Sequence, residues 1–284
     1  MCAQEFCKSY LGFHNVSLKT RLIAVLIVRN GQVVQSVQFR HTNVIHWDPA
    51  LAVDFFDRWA IDEIVVLDVS RDREQHAKFL QNVEEISRKT FVPLTIGGWV
   101  QSTDDLKALL RLGADKAAIN TEAVRRPDLL TECAAIFGRQ CIVVSIDVKA
   151  SKDGYEVYID RGREPTGLEP SEWARTARDY GAGEIFLNCI DRDGFRQGYD
   201  LDLLKRVVAA VDIPVVAMGG VFTWQHLVDG VSVGGADAVA AANIFHYTEH
   251  STRKAKEYMN QAGIEVRMPG TWNDSMPSAT KVQD

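Results

Sequence analysis

The sequence predicts a single α/β domain, a (β/α)8 TIM barrel, on three observations. Eight short apolar runs rich in β-branched residues recur along the chain, as expected for strands that are covered on both faces. Amphipathic segments of about 10–17 residues separate these runs. The second half of the pattern also resembles the first. Eight strand–helix units within about 245 residues are enough to close a barrel.

The predicted strands are short runs rich in β-branched and other apolar residues. They cover residues 22–28, 63–69, 92–96, 115–119, 141–148, 184–190, 213–218 and 237–242. Helices are expected between them, for example over 103–113 and 201–211, and three glycines stand where a helix would end in a left-handed residue: Gly113, Gly138 and Gly181. An open doubly wound sheet would need a glycine-rich phosphate turn after the first strand. The residues there, IVRNGQ, do not form one, which favours the barrel.

The chain repeats itself at a nearly constant offset. Three pairs of segments match, at offsets of 121, 121 and 122 residues. The pairs are IDEIVVLDVSRD (61–72) with AGEIFLNCIDRD (182–193), VPLTIGG (92–98) with IPVVAMGG (213–220), and LGADKAAIN (112–120) with GGADAVAAAN (234–243). This pattern predicts an internal half-barrel duplication, in which strands one to four recur as strands five to eight. A feature at the end of one strand should then have a counterpart in the other half.

Composition and charge exclude several classes of function. The 284 residues carry a formal net charge of −6, which argues against binding to nucleic acid or to an anionic membrane. The cysteines and histidines show no metal-ligand spacing, so neither a metal nor a cofactor is expected. No apolar stretch is long enough to span a bilayer and no signal peptide is recognisable, so we expect a cytoplasmic protein. The domain should occupy 21–267, between an N-terminal extension (1–20) and an irregular tail (268–284).

Candidate site residues follow the predicted strands, because barrel active sites lie at the carboxyl ends of the strands. Two glycine pairs, after the third and seventh strands, can bring backbone N–H groups close to an anion. With the residues after the fourth and eighth strands they predict two symmetric sites for a substrate that is phosphorylated at both ends. The candidates are Gly97, Gly98, Asn120, Thr121, Gly219, Gly220, Ala242 and Asn243. Asp68, after the second strand, is either a functional acid or a structural one.

Longer strings resemble one family. TIGG, LGADKAAINTEAVRRPDLL, SIDVK, EIFLNCIDRDGFRQGYD and AAANIFHYTEH are similar to the cyclase subunit of imidazole glycerol phosphate synthase, and the match runs from about Arg21 to Arg267. The resemblance implies a glutaminase partner at the bottom of the barrel, ammonia that passes through it, and a bis-phosphorylated substrate at its top. It places Asp193 and Gly194 beside that substrate. It also implies two aspartates, after the first and fifth strands, as general acid and base.

The implied catalytic pair is incomplete in this chain. The resemblance places the second aspartate at Asp147 and the first at Ile27, and the internal repeat agrees, because the two positions are 120 residues apart. Isoleucine cannot transfer a proton. Near the phosphate sites Trp99 stands where the family has a glycine, and Met218 and Asn243 stand where it has serines. The chemical end of the barrel therefore departs from the family.

The opposite end of the barrel agrees with the family. The resemblance implies a ring of four charged residues at the ammonia entrance and one further acid at the surface that meets the glutaminase. They are Arg21, Glu63, Lys116 and Glu184 in the ring and Asp115 at the docking surface. Salt bridges that only close the barrel would explain any one of the four. All four together favour a retained ammonia path, because inward charges are costly to bury unless they are paired.

Three functions remain open. The first is a diverged paralogue that delivers ammonia from a glutaminase for amidation of a surface-polysaccharide sugar, with a separate sugar amidotransferase as its user. Ile27 and the string LNCIDRDG resemble members of that kind. The second is the authentic cyclase and lyase of histidine biosynthesis, with another residue covering for the missing acid. The third is a non-catalytic barrel that only activates its glutaminase.

Overall fold

A computed structural model describes residues 19–268 except 59, 153 and 247–250. Within these ranges the chain forms the predicted barrel, whose eight parallel strands we number β1 to β8. They are β1 Arg21–Arg29, β2 Glu63–Asp68, β3 Leu94–Gly97, β4 Lys116–Ile119, β5 Ile142–Ser151, β6 Glu184–Cys189, β7 Val215–Met218 and β8 Ala238–Ala241. Each strand pairs with the next and β8 pairs with β1, so the sheet closes on itself.

Helices cover the outside of the barrel. In the described part of the chain they are α1 Pro49–Arg58, α2 Gln75–Ser87, α3 Thr103–Arg111, α4 Thr121–Arg125, α5 Asp128–Phe137, α6 Pro170–Tyr180, α7 Leu201–Val208, α8 Trp224–Ser232 and α9 Ser251–Gln261. The helices predicted over 103–113 and 201–211 are thus present as α3 and α7. Ser102 and Asp200 begin them, because each side chain accepts a hydrogen bond from a backbone N–H of the first turn. None of the described helices is long and apolar enough to cross a membrane.

The glycines expected to end helices all have a positive φ. The values are 105° at Gly113, 87° at Gly138 and 117° at Gly181. Gly181 has the left-handed helical geometry that was expected at the end of α6. At Gly138 ψ is 147°, so the chain leaves α5 in an extended direction and the expected left-handed cap is wrong there.

Apolar side chains fill both sides of the sheet, which explains why the strands are continuous apolar runs. One large cluster lies between the sheet and the helices. A second cluster fills the interior of the barrel. It consists of Ile23, Val25, Ile27, Val34, Val65, Ala118, Val143, Phe186, Val216, Met218, Ala238 and Ala240. The interior is therefore a packed apolar column between the two ends of the barrel.

Two antiparallel hairpins, which the sequence did not predict, extend the barrel at its mouth. The β1 hairpin consists of Gln32–Val37 and His41–His46, and its first strand pairs with the end of β1. The β5 hairpin consists of Gly154–Ile159 and Glu164–Pro165, and its first strand pairs with the end of β5. The same addition thus follows the first strand of each half, as a duplicated half-barrel requires.

The two ends of the described chain meet beside the barrel. The N–H of Thr20 donates to the carbonyl oxygen of Glu265 at 2.8 Å, and Thr20 pairs with Val266. The packed chain therefore begins no later than Thr20. Most of the expected extension (1–20) and of the expected tail (268–284) lies outside the described residues.

Candidate functional site

Four charged residues form a closed ring at the amino-terminal end of the barrel. Arg21 lies 2.6 Å from Glu63 and also contacts Glu184, and Lys116 lies 3.0 Å from Glu63 and 2.8 Å from Glu184. Each cation therefore bonds both carboxylates, and the four residues assigned to the entrance ring lie together. The carboxylate side chains are 3% and 6% exposed, whereas Arg21 is 29% and Lys116 19% exposed. The cations thus form the outer side of the ring.

The ring is electrostatically self-contained. Burial lowers the pKa of Arg21, but the charges and hydrogen bonds of Glu184 and Glu63 raise it, and the net direction is upward. Thr95, at the start of β3, adds a hydrogen bond from its hydroxyl to Glu63 Oε1 at 2.8 Å. Sequence reasoning missed Thr95, although a lone hydroxyl within the apolar run VPLTI was a usable signal. Two positive and two negative side chains thus form a ring with no formal net charge beneath the apolar column.

Asp115, assigned to partner docking, lies at the same end and is exposed. One of its carboxylate oxygens accepts a hydrogen bond from the backbone N–H of Leu94 at 2.8 Å. In the other half Asp237 accepts from the N–H of Val215 at 2.9 Å in the same way. Asp115 therefore has a structural task at the start of a strand, and docking remains a prediction for it.

The other end of the barrel opens into two adjoining cavities of about 860 and 420 Å3. They divide the predicted site residues into two groups. The larger cavity is lined by Gly97, Gly98, Asn120, Thr121 and Asp147. The smaller is lined by Gly194, Gly219, Gly220, Ala242 and Asn243. Asp193 and Met218 line both, so the two cavities meet at these side chains.

Asp147 lines the larger cavity and is held by two amide groups. Asn120 donates to it at 2.9 Å and Asn188 at 3.3 Å. Burial raises its pKa to about 7; the nearby charge of Asp193 acts in the same direction, and the two amide hydrogen bonds oppose the change. A carboxyl group that titrates near neutral pH can both give and take a proton, as general acid–base catalysis requires. Asn188 was not assigned to the predicted site, although it lies next to last in the strand beside that of Asp147.

Strand register confirms that Ile27 occupies the position equivalent to Asp147. Ile27 pairs with Leu67 across β1 and β2, and Asp147 pairs with Asn188 across β5 and β6. The two pairs are related by the offsets of the internal repeat. Ile27 lines the larger cavity as part of the apolar interior. An apolar side chain therefore stands where a second carboxylate would face the first.

Asp68 does not fill the gap that Ile27 leaves. Its Oδ1 accepts from the indole N–H of Trp99 at 3.1 Å and from the backbone N–H of Ser70 at 2.8 Å. Burial raises its pKa, and these hydrogen bonds partly oppose the rise. The contacts favour the structural alternative for Asp68, as an acceptor that orders the loop after β2.

Asp193 joins the loop after β6 to the β1 hairpin. It accepts from the hydroxyl of Ser36 at 2.7 Å and from the N–H of Phe39 at 3.4 Å. Burial raises its pKa, and these hydrogen bonds oppose the rise. Gly194 follows with a φ of 76°, and a Cβ at this position would lie 3.0 Å from the carbonyl oxygen of Ser36. Glycine is therefore required for the close approach of this loop to the hairpin.

The turns after β3 and β7 have the same backbone shape, but the two glycine pairs are not equivalent. The φ angles are 117° and 64° at Gly98 and Trp99, and 107° and 85° at Gly219 and Gly220. Gly97 precedes its turn and corresponds in register to Met218. The expected equivalence of Gly97–Gly98 with Gly219–Gly220 is therefore wrong by one residue, because Gly98 and Trp99 correspond to Gly219 and Gly220. Trp99 adopts a left-handed conformation that suits glycine and strains a bulky residue.

Comparison with known families gives one finding. Residues 21–251 match the family model described as histidine biosynthesis protein. The match covers more than half of the chain and extends over all eight strands of the barrel. This chain is therefore a member of the histidine biosynthesis protein family.

Proposed function

We propose that this protein is a cyclase-type barrel that no longer closes the imidazole ring and instead conducts ammonia from a glutaminase to a separate acceptor. The acceptor reaction is amidation of a surface-polysaccharide sugar by another enzyme. The observation that carries the proposal is the contrast between the two ends of the barrel. The charged ring is complete, whereas the mouth has Ile27 opposite Asp147.

The ring supports ammonia entry because it is costly to maintain for any other purpose. Buried ion pairs contribute little to stability compared with well-packed apolar residues of similar volume. Glu63 and Glu184 each take part in two ion pairs, and the side chains above them are apolar. A small uncharged molecule is the kind of cargo that suits such a column, because it needs no compensating charge along the way.

The mouth supports the loss of ring closure because acid–base chemistry with two carboxyl groups needs both of them. Asp147 retains its amide partners and its raised pKa. Ile27 provides no proton, and Asp68 is engaged by Trp99 and Ser70. One acid remains where the family's chemistry implies two.

Assay of Ile27→Asp for cyclase activity with external ammonia tests the mouth. The wild type should be inactive, and the substitution should restore measurable turnover if this position alone limits the reaction. Wild-type activity, or complementation of a histidine auxotroph by the wild type, would contradict the proposal. Either result would instead support the authentic cyclase of histidine biosynthesis. This is the second candidate function, and the retained Asp147 with its raised pKa favours it.

Glutamine turnover by the barrel with its glutaminase tests the ring. Lys116→Ala opens the ring beside Glu63 and Glu184, and we expect it to change glutamine turnover and the share of ammonia released at the mouth. Arg88→Ala removes an exposed ion pair with Glu84 and serves as the matched control. Unchanged behaviour of Lys116→Ala would reject the ammonia path. It would leave a barrel that only activates its partner.

A further inference from the structure

We propose that the larger cavity binds a small molecule that carries a diphosphate group, held by arginine side chains around the mouth. The proposal goes beyond ammonia delivery and does not depend on it. None of these arginines belongs to the glycine turns that were expected to bind phosphate. The cationic residues that line the cavity are Arg29, Arg40, Arg71, Arg73, Arg125, Lys149, Arg161 and Arg163.

The charge of the cavity lining is opposite to that of the whole chain. Eight cationic residues face five acidic ones, a formal excess of three positive charges in a protein whose net charge is −6. The acids are Asp68, Glu122, Asp147, Asp160 and Asp193. Burial raises the pKa of Asp147 to about 7, so this acid is only partly charged near neutral pH. A cleft of one sign concentrates ligands of the other.

Some of these arginines form no ion pair with any acid among the described residues. Arg125 pairs with Glu164, and Arg161 pairs with Asp160. Three further arginines form no ion pair within the described ranges and come from three separate segments: Arg40, Arg73 and Arg163. Burial lowers the pKa of Lys149, and the nearby positive charge of Arg40 lowers it further. The negative charge of Asp191 acts in the opposite direction. Crowded cations of this kind are relieved by a bound anion.

Backbone strain is concentrated around the same cavity. Eight non-glycine residues in the described part of the chain have a positive φ. Five of them line the cavity: Gln38, Phe39, Trp99, Asp160 and Arg161. Strained residues of this type cluster at ligand sites, where the surrounding structure holds them in place. The tips of both hairpins, which carry Arg40, Arg161 and Arg163, therefore border the same cavity as the strained Trp99.

The excess charge and the size of the cavity identify the ligand class. A phosphate monoester carries a charge of about −1.5 to −2, which is less than the three positive charges of Arg40, Arg73 and Arg163, whereas a second phosphoryl group balances them. Arginine forks bind phosphate oxygens in pairs. The volume of about 860 Å3 suits a ligand of nucleotide size, and Phe39 and Trp99 offer aromatic surface for a base. The diphosphate is therefore either free or part of a nucleoside diphosphate.

Calorimetric titration of the full chain with inorganic diphosphate, ADP and AMP tests this site. Both diphosphates should bind saturably and more tightly than AMP, and Arg40→Ala and Arg163→Ala should each weaken that binding at least tenfold. Arg175→Ala, on the exposed face of α6, is the matched control and should change it less than twofold. ADP bound tenfold more tightly than inorganic diphosphate, with the gain lost in Trp99→Ala, would identify a nucleotide; equal affinities would identify the diphosphate alone.

Three results would overturn the proposal. One is the absence of saturable binding by either diphosphate. Another is an equal loss of affinity in Arg175→Ala, which would mean that only general charge attracts the anion. The third is a loss confined to Arg196→Ala, because Arg196 lines the smaller cavity. None of these readouts uses the glutaminase, so failure here would leave the ammonia proposal standing.

Discussion

Asp147 shows how surroundings decide the state of a single carboxyl group. Removal from water favours the neutral form, and two amide hydrogen bonds do not fully offset that preference, so the pKa rises to about 7. The equivalent Ile27 has no such chemistry. At the residue scale the mouth therefore holds one acid that titrates near neutral pH, opposite an apolar wall.

This raised pKa predicts a pH dependence of stability. The folded protein binds the Asp147 proton more tightly than the unfolded chain, in which the pKa of this group is near the ordinary 3.8. The contribution of Asp147 to the free energy of unfolding is therefore complete below about pH 4 and is lost as the pH rises towards 7. Asp147→Asn has no proton to lose. We therefore expect the free energy of unfolding of the wild type to fall relative to Asp147→Asn between pH 4 and 7, in urea titrations at several pH values. A constant difference across that range would refute the raised pKa.

At the scale of the structural element, the four residues of the charged ring depend on one another, because each carboxylate is paired with both cations. Glu63 and Glu184 are nearly inaccessible and depend on both cations. The four residues come from β1, β2, β4 and β6, so the ring exists only when the barrel is closed. Such an element contributes little to stability compared with well-packed apolar residues of similar volume.

We expect Lys116→Met to lower the free energy of unfolding by about 2–3 kcal/mol, because it leaves two buried carboxylates with Arg21 alone. The value lies below that for a fully buried pair because the Lys116 side chain is 19% exposed. Arg88→Met, which breaks a surface pair, should cost less than about 0.5 kcal/mol. Chemical denaturation of both variants measures the difference. Equal small losses would show that the ring is not electrostatically coupled.

At this scale the sequence predicted the barrel strands well and the hairpins not at all. Continuous apolar runs are a direct consequence of burial on both faces, so all eight strands were recognisable. Asn30–Gly31, with φ of 51° and 77°, is a tight hairpin turn, and the Asn-Gly pair in IVRNGQ is its sequence signal. The arginines around the mouth were not predictable, because loops distant in sequence bring them together.

At the scale of the whole molecule, one buried ion pair joins the last described helix to the first two strands of the barrel. Lys256, on the last helix, lies 2.6 Å from Asp62, which precedes β2, and both side chains are almost fully buried. The second oxygen of Asp62 accepts from the backbone N–H of Leu22 at 2.9 Å. A single carboxylate therefore joins α9, β1 and the start of β2.

Lys256→Met should lower the free energy of unfolding by about 3–5 kcal/mol, because the charge of Asp62 is left buried without a cation. Lys254→Met, two residues earlier and exposed, should stay within about 0.5 kcal/mol of the wild type. Thermal and urea unfolding of the two variants provide the comparison. If both variants have the same free energy of unfolding as the wild type, the ion pair between Lys256 and Asp62 does not stabilise the fold.

Trp99 and Gly220 occupy equivalent positions in the turns after β3 and β7. This equivalence bears on how such a barrel can acquire a new ligand. The φ of 64° at Trp99 is one that glycine suits, although its side chain is the largest of the natural amino acids. A main-chain path is fixed by many neighbours at once, whereas one codon change is enough to replace a side chain. The two half-barrels thus carry a tryptophan version and a glycine version of one loop in a single protein. New specificity can arise on inherited architecture, one side chain at a time.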